Sequence, residues 1–445
     1  MTSLTMNNVR CFADPDPAPL APLTLLVGEN STGKSTFLAS VRLAWELAHD
    51  PMSADFNKEP FLLGSYDDIG NYRGSRWRAD TFSVGFSCPF PKSTTKRWGT
   101  ELTEDGVFLA TFKRQDSLPV LAQWQFTAMP YGITLTFEDA STISACELMS
   151  PNGCYTLSGP AVEQMPAQYA GEPWYLAHVA RSYLKRESAA RLTEAGERPN
   201  EQHIRAISFV VRRIREEFLQ RPYATAPIRT KPRRTYDPLS LRPEPEGGHV
   251  PMILAKTLSG KSRQRARLQK ALEKFGKASG LYSAVKIKKL GRKEGTPFQV
   301  KLNFGGQPDF NLVDVGYGVS QALPIVVDII RAEKGSTLLI QQPEVHLHPR
   351  AQAALGSLLI ELAVAEKKRF IVETHSDYLI DRVRMDIRDS DKLSPKDVQL
   401  LYFDRQDGGN ADIHALELDK QGNITNAPAG YRDFFLREEH RFIGV

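Results

Sequence analysis

One stretch near the start constrains this chain more than any other: residues 22–49 read PLTLLVGENSTGKSTFLASVRLAWELAH. Leu23 to Val27 is a short apolar run, the pattern of a buried strand. Gly28-Glu29-Asn30-Ser31-Thr32-Gly33-Lys34-Ser35 then fits G-x-x-x-x-G-K-[ST] at every defined position. Beyond it Phe37, Leu38, Val41, Leu43, Ala44 and Leu47 recur near helical spacing. Strand, glycine-bounded loop and helix form the context in which this motif cradles phosphates. Backbone N–H groups wrap the anion, and the positive end of the helix adds to the attraction. Lys34 is expected to reach the β- and γ-phosphates, and the Ser35 hydroxyl to ligate Mg²⁺. Asn30, Ser31, Thr32, Gly33 and Thr36 complete the expected nucleotide-binding set.

A chain of 445 residues has room for two or three domains, or for one domain with a large insertion. Between about Phe61 and Tyr155, TFSVGFSC, GVFLATFKR, LAQWQFTAM and GITLTFED alternate apolar and polar residues, as successive antiparallel strands do. From Gln164 to Gln220 the texture becomes helical, followed by a Pro- and Arg-rich connection and a basic helical stretch over 256–282. The last third alternates strands (STLLIQ, KRFIVETHS) with helices near Val319–Ala332 and Arg350–Ala365, and ends in a hairpin around Asp407-Gly408-Gly409. The expected architecture is α/β with a mixed sheet, an antiparallel β lobe and an inserted helical, basic subdomain. Its expected boundaries are 1–163, 164–300 and 301–445. Four scattered cysteines without C-x-x-C spacing indicate neither a disulfide framework nor a zinc site. No apolar stretch reaches the ~18 residues of a membrane span, and the N-terminus lacks signal-peptide grammar, so a cytoplasmic location is expected.

Three later stretches narrow the class. DVGYGVSQALPIVVDII (314–330) sets glycines and Ser320 ahead of an amphipathic helix, LLIQQPEVHLHP follows, and FIVETHSDYLI (370–380) ends a strand on Thr374-His375-Ser376. With the phosphate loop they resemble the ATP-binding-cassette class, specifically the OLD-like and SMC-like ATPase heads of bacterial anti-phage systems such as the ATPase subunits of PARIS, Septu and retron-associated modules. The resemblance is strong over the first ~50 residues and about 310–380. It is weaker near 226–236 and over the ending APAGYRDFFL.

The resemblance implies that the phosphate loop of one protomer and the signature segment of another enclose ATP and Mg²⁺ in a head-to-tail dimer. Gly316, Gly318 and Ser320 would form that signature in trans, although Gly316 stands where the family has serine. His375 would be the switch histidine that senses the γ-phosphate. Gln341 falls where the family's magnesium-supporting acid sits and Gln342 where its general base sits. A Gln carbonyl can stand in as a weak metal ligand, and a Gln can orient water, but it cannot take water's proton. Glu344, two residues further on, is the candidate base if the turn at Pro343 brings it round. His346 and His348 match the family's H-L-H-P turn, which points to a dimer contact; metal ligation by them is the alternative.

Between Lys256 and Lys301 the chain carries fourteen Lys or Arg against two Glu. That balance fits either a nucleic-acid surface or a solvated face. The expected function is therefore a slowly hydrolysing ATPase serving as sensor or scaffold for a separate effector, a nuclease or a toxin. A non-hydrolysing, ATP-locked scaffold and a DNA-binding SMC-like clamp in repair are the alternatives. About 70 residues follow His375, without a convincing set of metal-binding acids, which disfavours a nuclease in the same chain.

Overall fold

The computed structural model describes residues 2–431 and Arg441, apart from 15, 53, 75–76, 91–104, 140–141, 159–174, 176–189, 192–199, 218–219, 238–241, 261–262, 294 and 429. Most of the expected helical texture over 164–199 and part of the ending APAGYRDFFL lie outside the described residues. The chain divides into two compact units. One comprises Met1–Leu20, Ser31–Arg221 and Arg405–Ile413, the other Ala21–Asn30, Pro222–Asp404 and His414–Val445.

The first unit is built on a nine-stranded antiparallel sheet. Its centre is a meander in which Thr81–Cys88, Gly106–Gln115, Leu118–Ala128, Tyr131–Phe137, Ile143–Ser150 and Gly153–Ser158 each pair with the next. Alternation along Gly106–Gln115 buries Phe108, Ala110 and Phe112 and turns the intervening residues outward. Such a half-buried strand is what the period-two sequence pattern encodes. Two helices rest on this sheet, the phosphate-loop helix Lys34–His49 and the amphipathic helix Glu201–Glu216. The last carbonyls of Lys34–His49 are satisfied from the sheet side: Trp124 Nε1 donates to Leu47 O at 2.8 Å and Arg215 Nε to Ala48 O at 2.8 Å. A cation at a helix C-terminus also complements the helix dipole.

The second unit holds five mutually parallel strands in the order Tyr223–Thr225, Thr337–Gln341, Arg369–Glu373, Leu23–Gly28 and Val398–Arg405, the last as far as Asp404. One face packs Leu23, Leu25, Leu338, Ile340, Phe370, Val372 and Leu400 into a core shared with helices Tyr317–Arg331, Pro349–Glu366 and Asp377–Asp389. Lys368, at the turn into strand Arg369–Glu373, is fully buried and donates from Nζ to Ile329 O at 2.8 Å and Ile330 O at 3.3 Å. It thereby closes the last turn of helix Tyr317–Arg331.

One sequence expectation changes here. Tyr223–Thr225, inside the connection read as irregular, is an edge strand of the parallel sheet. The basic stretch expected to be helical over 256–282 holds the end of helix Val250–Ser259 and helix Arg263–Ser279. Past Tyr282 it becomes a small antiparallel sheet of Ala284–Lys289, Phe298–Asn303 and Phe310–Asn311. There Val285, Val300 and Leu302 alternate with outward lysines, a strand pattern that the charge run masks.

Candidate functional site

In a parallel sheet all strands deliver their carboxyl ends to one edge, and ligands bind outside that edge. Four segments leave it in this protein: Gly28-Glu29-Asn30, Ala226 to Arg229, Gln342 to Glu344, and Thr374-His375.

The phosphate loop departs from strand Leu23–Gly28 and ends in helix Lys34–His49. Gly28 and Gly33 hold φ of 138° and 95°, and Ser31 holds 63°. A Cβ on Gly28 would lie 2.4 Å from the carbonyl oxygen of Phe403, and one on Gly33 would lie 2.5 Å from the Phe12 ring. Both positions therefore require glycine. Lys34 is buried with Nζ 3.4 Å from Thr32 Oγ1, whereas Asn30, Ser31 and Ser35 are exposed. Thr36 is buried beneath the loop, and its hydroxyl accepts from Arg10 Nη1 at 3.2 Å.

Gln341 ends its strand, and Gln342, with φ 40°, donates its N–H to Glu373 O at 2.8 Å. The turn at Pro343 then carries Glu344 across to the neighbouring strand, where Oε1 accepts the His375 N–H at 2.6 Å. Burial pushes the Glu344 carboxyl above its ordinary range; the His375 N–H, the Thr374 hydroxyl and the Arg229 guanidinium oppose that rise. His375 itself is exposed. Ser376 caps helix Asp377–Asp389 by accepting from Leu379 N, and donates to Gln352 Oε1 at 2.5 Å. Gln352 in turn donates to Leu347 O at 2.8 Å, which ties the switch segment to the H-L-H-P turn.

Arg229 is the site residue that sequence reasoning did not single out. It is 3% exposed and donates from Nη2 to the carbonyls of Gln341 at 3.0 Å and Gln342 at 3.1 Å. Desolvation lowers its pKa to about 10 while Glu344 pulls it upward. An arginine four residues past a short strand is the only local signal, and the strand itself lies hidden among prolines and arginines.

The signature segment opens helix Tyr317–Arg331. A Cβ on Gly318 would come 2.5 Å from His346 O, so this glycine lets the helix lie against the H-L-H-P turn. Tyr317 meets the His346 ring edge-on at 4.9 Å. Gly316 is exposed, whereas Ser320 is buried and donates to Tyr317 O at 2.7 Å. The Ser320 hydroxyl thereby closes the first turn of its own helix. His348 caps helix Pro349–Glu366, its Nδ1 accepting from Arg350 N at 3.3 Å. Among the described residues no group of three or more His, Cys, Asp or Glu side chains is placed to hold a metal ion.

Of the basic stretch, Arg267 pairs with Glu366, Lys274 with Glu361 and Lys286 with Asp309. Lys288, Lys289, Arg292 and Lys293 are exposed and carry no ion pair among the described residues. No described helix is long and apolar enough to cross a membrane.

The residues present fit a nucleotide with its cation. The glycine loop has the phosphate-cradling conformation, and Gln341 Oε1 and Glu344 Oε2 are buried at the strand ends with no hydrogen-bond partner. When bound, ATP and Mg²⁺ supply the phosphoanhydride and the charge neutralisation. In the phosphate loop, Lys34 and the loop N–H groups would hold the phosphates and Ser35 the cation; at the parallel strand ends, an ionised Glu344 would be able to take a proton from water.

Residues 173–381 match the family model described as AAA domain, putative AbiEii toxin, Type IV TA system, a span that holds all of these segments except the phosphate loop. An OLD nuclease of Thermus scotoductus is 38% identical over 73 residues, which make up 15% of this chain and 13% of that protein's length. An Smc head bound to the C-winged helix domain of ScpA aligns over 94% of this chain and 98% of its own at 11% identity, with a TM-score of 0.44. The SMC head domain from Thermotoga maritima covers the same shares at 13% identity and a TM-score of 0.37. The phosphate loop and the match of residues 173–381 to the AAA-domain model together support an ATP-binding P-loop domain.

Proposed function

We propose that this protein is a slowly hydrolysing ATPase that acts as the sensor or scaffold subunit of an anti-phage defence complex and controls a separate effector. The observation that carries the hydrolytic part is the position of Glu344: a buried carboxylate against the N–H of His375, at the carboxyl edge from which the phosphate loop departs. ATP would be enclosed between two copies of the chain, each offering Gly316 and Gly318 to the other's nucleotide, and His375 would report the γ-phosphate. The toxin–antitoxin wording of the matching family and the partial match to an OLD nuclease support the defence setting.

The test is single-turnover hydrolysis of radiolabelled ATP by wild type, Glu344→Gln and Lys34→Ala. Phosphate release by wild type alone supports the reading. A second reading, an ATP-locked scaffold, is favoured by Gln341 and Gln342, neither of which can accept a proton. Tightly bound ATP that stays intact for hours in wild type would establish it instead.

A further inference from the structure

A cavity of about 270 Å³ lies wholly within the second unit, where the connection 230–237 and helix Val250–Ser259 meet the first turns of helix Tyr317–Arg331. Its floor is apolar: Val250, Leu254, Val300 and Leu323 line it, and each is 2% exposed or less. Tyr236, whose ring stacks on Phe298 at 5.7 Å, lines it as well. An apolar cavity of roughly 150 Å³ already takes benzene, so a ring with a charged head has room here.

Charges of both signs stand at the mouth. Lys231, Arg233, Asp237 and Glu244 all line the cavity, all four are exposed, and none makes an ion pair among the described residues. A further acceptor comes from the helix. Pro324 has no N–H, so the Ser320 carbonyl lacks the donor that any other residue at 324 would offer it, and both residues line the cavity. An apolar hollow with a few polar groups at fixed places is the form of a small-molecule site. Two cations beside two carboxylates leave the mouth neutral, which favours a molecule carrying both charges over a bare anion or a bare cation.

We propose that this cavity binds an amino-acid-type zwitterion with an apolar side chain. The side chain occupies the floor, the carboxylate meets Lys231 and Arg233, and the ammonium meets Asp237 and Glu244, with the Ser320 carbonyl as a further acceptor. The bound molecule touches the first two turns of helix Tyr317–Arg331, which would give the proposed sensor a small-molecule input. No nucleotide takes part in the binding itself, so the site stands or falls apart from the ATPase reading.

The test uses the full chain and three probes of one size. L-Phenylalanine carries both charges, phenylacetate only the carboxylate and phenethylamine only the ammonium. Isothermal titration calorimetry is expected to show phenylalanine bound at one site per chain, more tightly than either singly charged probe. Lys231→Gln with Arg233→Gln is expected to weaken phenylalanine about five-fold or more and to leave phenethylamine unchanged. Asp237→Asn with Glu244→Gln is expected to weaken phenylalanine to a similar degree and to leave phenylacetate unchanged. The comparison of the three probes needs wild type alone, so it decides even if a variant fails to fold. Absence of saturable phenylalanine binding overturns the proposal, and so does binding that neither pair of substitutions alters. A singly charged probe that binds as tightly as phenylalanine overturns it too, and would assign the cavity to a ligand of one charge, such as a peptide terminus.

Discussion

The backbone N–H of His375 donates to Glu344 Oε1 at 2.6 Å and joins the end of one strand to the turn that follows its neighbour. The candidate base is thus held by the main chain of the candidate switch residue. A shift of His375 towards a bound phosphate would alter the carboxylate directly, without an intervening side chain.

The first prediction concerns pH. Burial raises the Glu344 pKa above 4.5, and only the ionised form accepts a proton from water. Single-turnover rates should therefore rise with pH through the raised pKa, and Glu344→Gln should remove that limb. Stability should move the other way. A carboxyl whose folded pKa lies above its unfolded value binds more protons when folded, so its contribution is present at low pH and is lost as pH climbs through the folded pKa. Urea unfolding across that window, compared with Glu344→Gln, checks the sign.

Arg229 should matter both to the fold and to this titration. Arg229→Ala strips two carbonyls of their donor and leaves Glu344 without its buried countercharge. Leaving a buried acceptor without its donor costs about 1–3 kcal/mol. The rate limb assigned to Glu344 should also shift to higher pH. Equilibrium unfolding and the pH–rate profile read the two effects separately, and a limb left in place would show that Arg229 acts on the fold alone.

Gly318→Ala drives a Cβ into the carbonyl oxygen of His346, whereas a Cβ on Gly316 meets nothing within 4 Å. The first substitution should destabilise by about 1–3 kcal/mol through overpacking. The second should leave thermal stability close to wild type while impairing nucleotide-dependent dimerisation, measured by light scattering. A matched loss of stability in both would remove the distinction.

Lys288, Lys289, Arg292 and Lys293 cluster at one turn of the basic stretch, exposed and with no ion pair among the described residues. If this turn holds a DNA backbone, neutralising all four should lower affinity and flatten the dependence of log K on log salt by about three to four. An unchanged slope would leave the turn as a solvated surface.

The strand–loop–helix of the phosphate site was legible because Leu23–Val27 and Phe37–Leu47 carry different periods on either side of a glycine loop. The antiparallel meander was legible because its strands keep one face buried. Arg229 was not, because it does not join the site through its own sequence neighbourhood. It arrives on a three-residue edge strand. At Ser320, spacing places the residue at the head of a helix, and only the fold shows its hydroxyl bonded within that first turn.

Lys368 gives these parts a mechanical relation. It sits at the start of the strand that ends beside His375, and it grips the last turn of the helix that begins at Tyr317. Helix and strand are thus the two legs of a pair of compasses pinned at Lys368, the longer leg about 22 Å for 15 residues. In the proposed function one tip would sense phosphate on its own molecule and the other would touch the molecule opposite, so a swing at either tip would pass through the pin at Lys368.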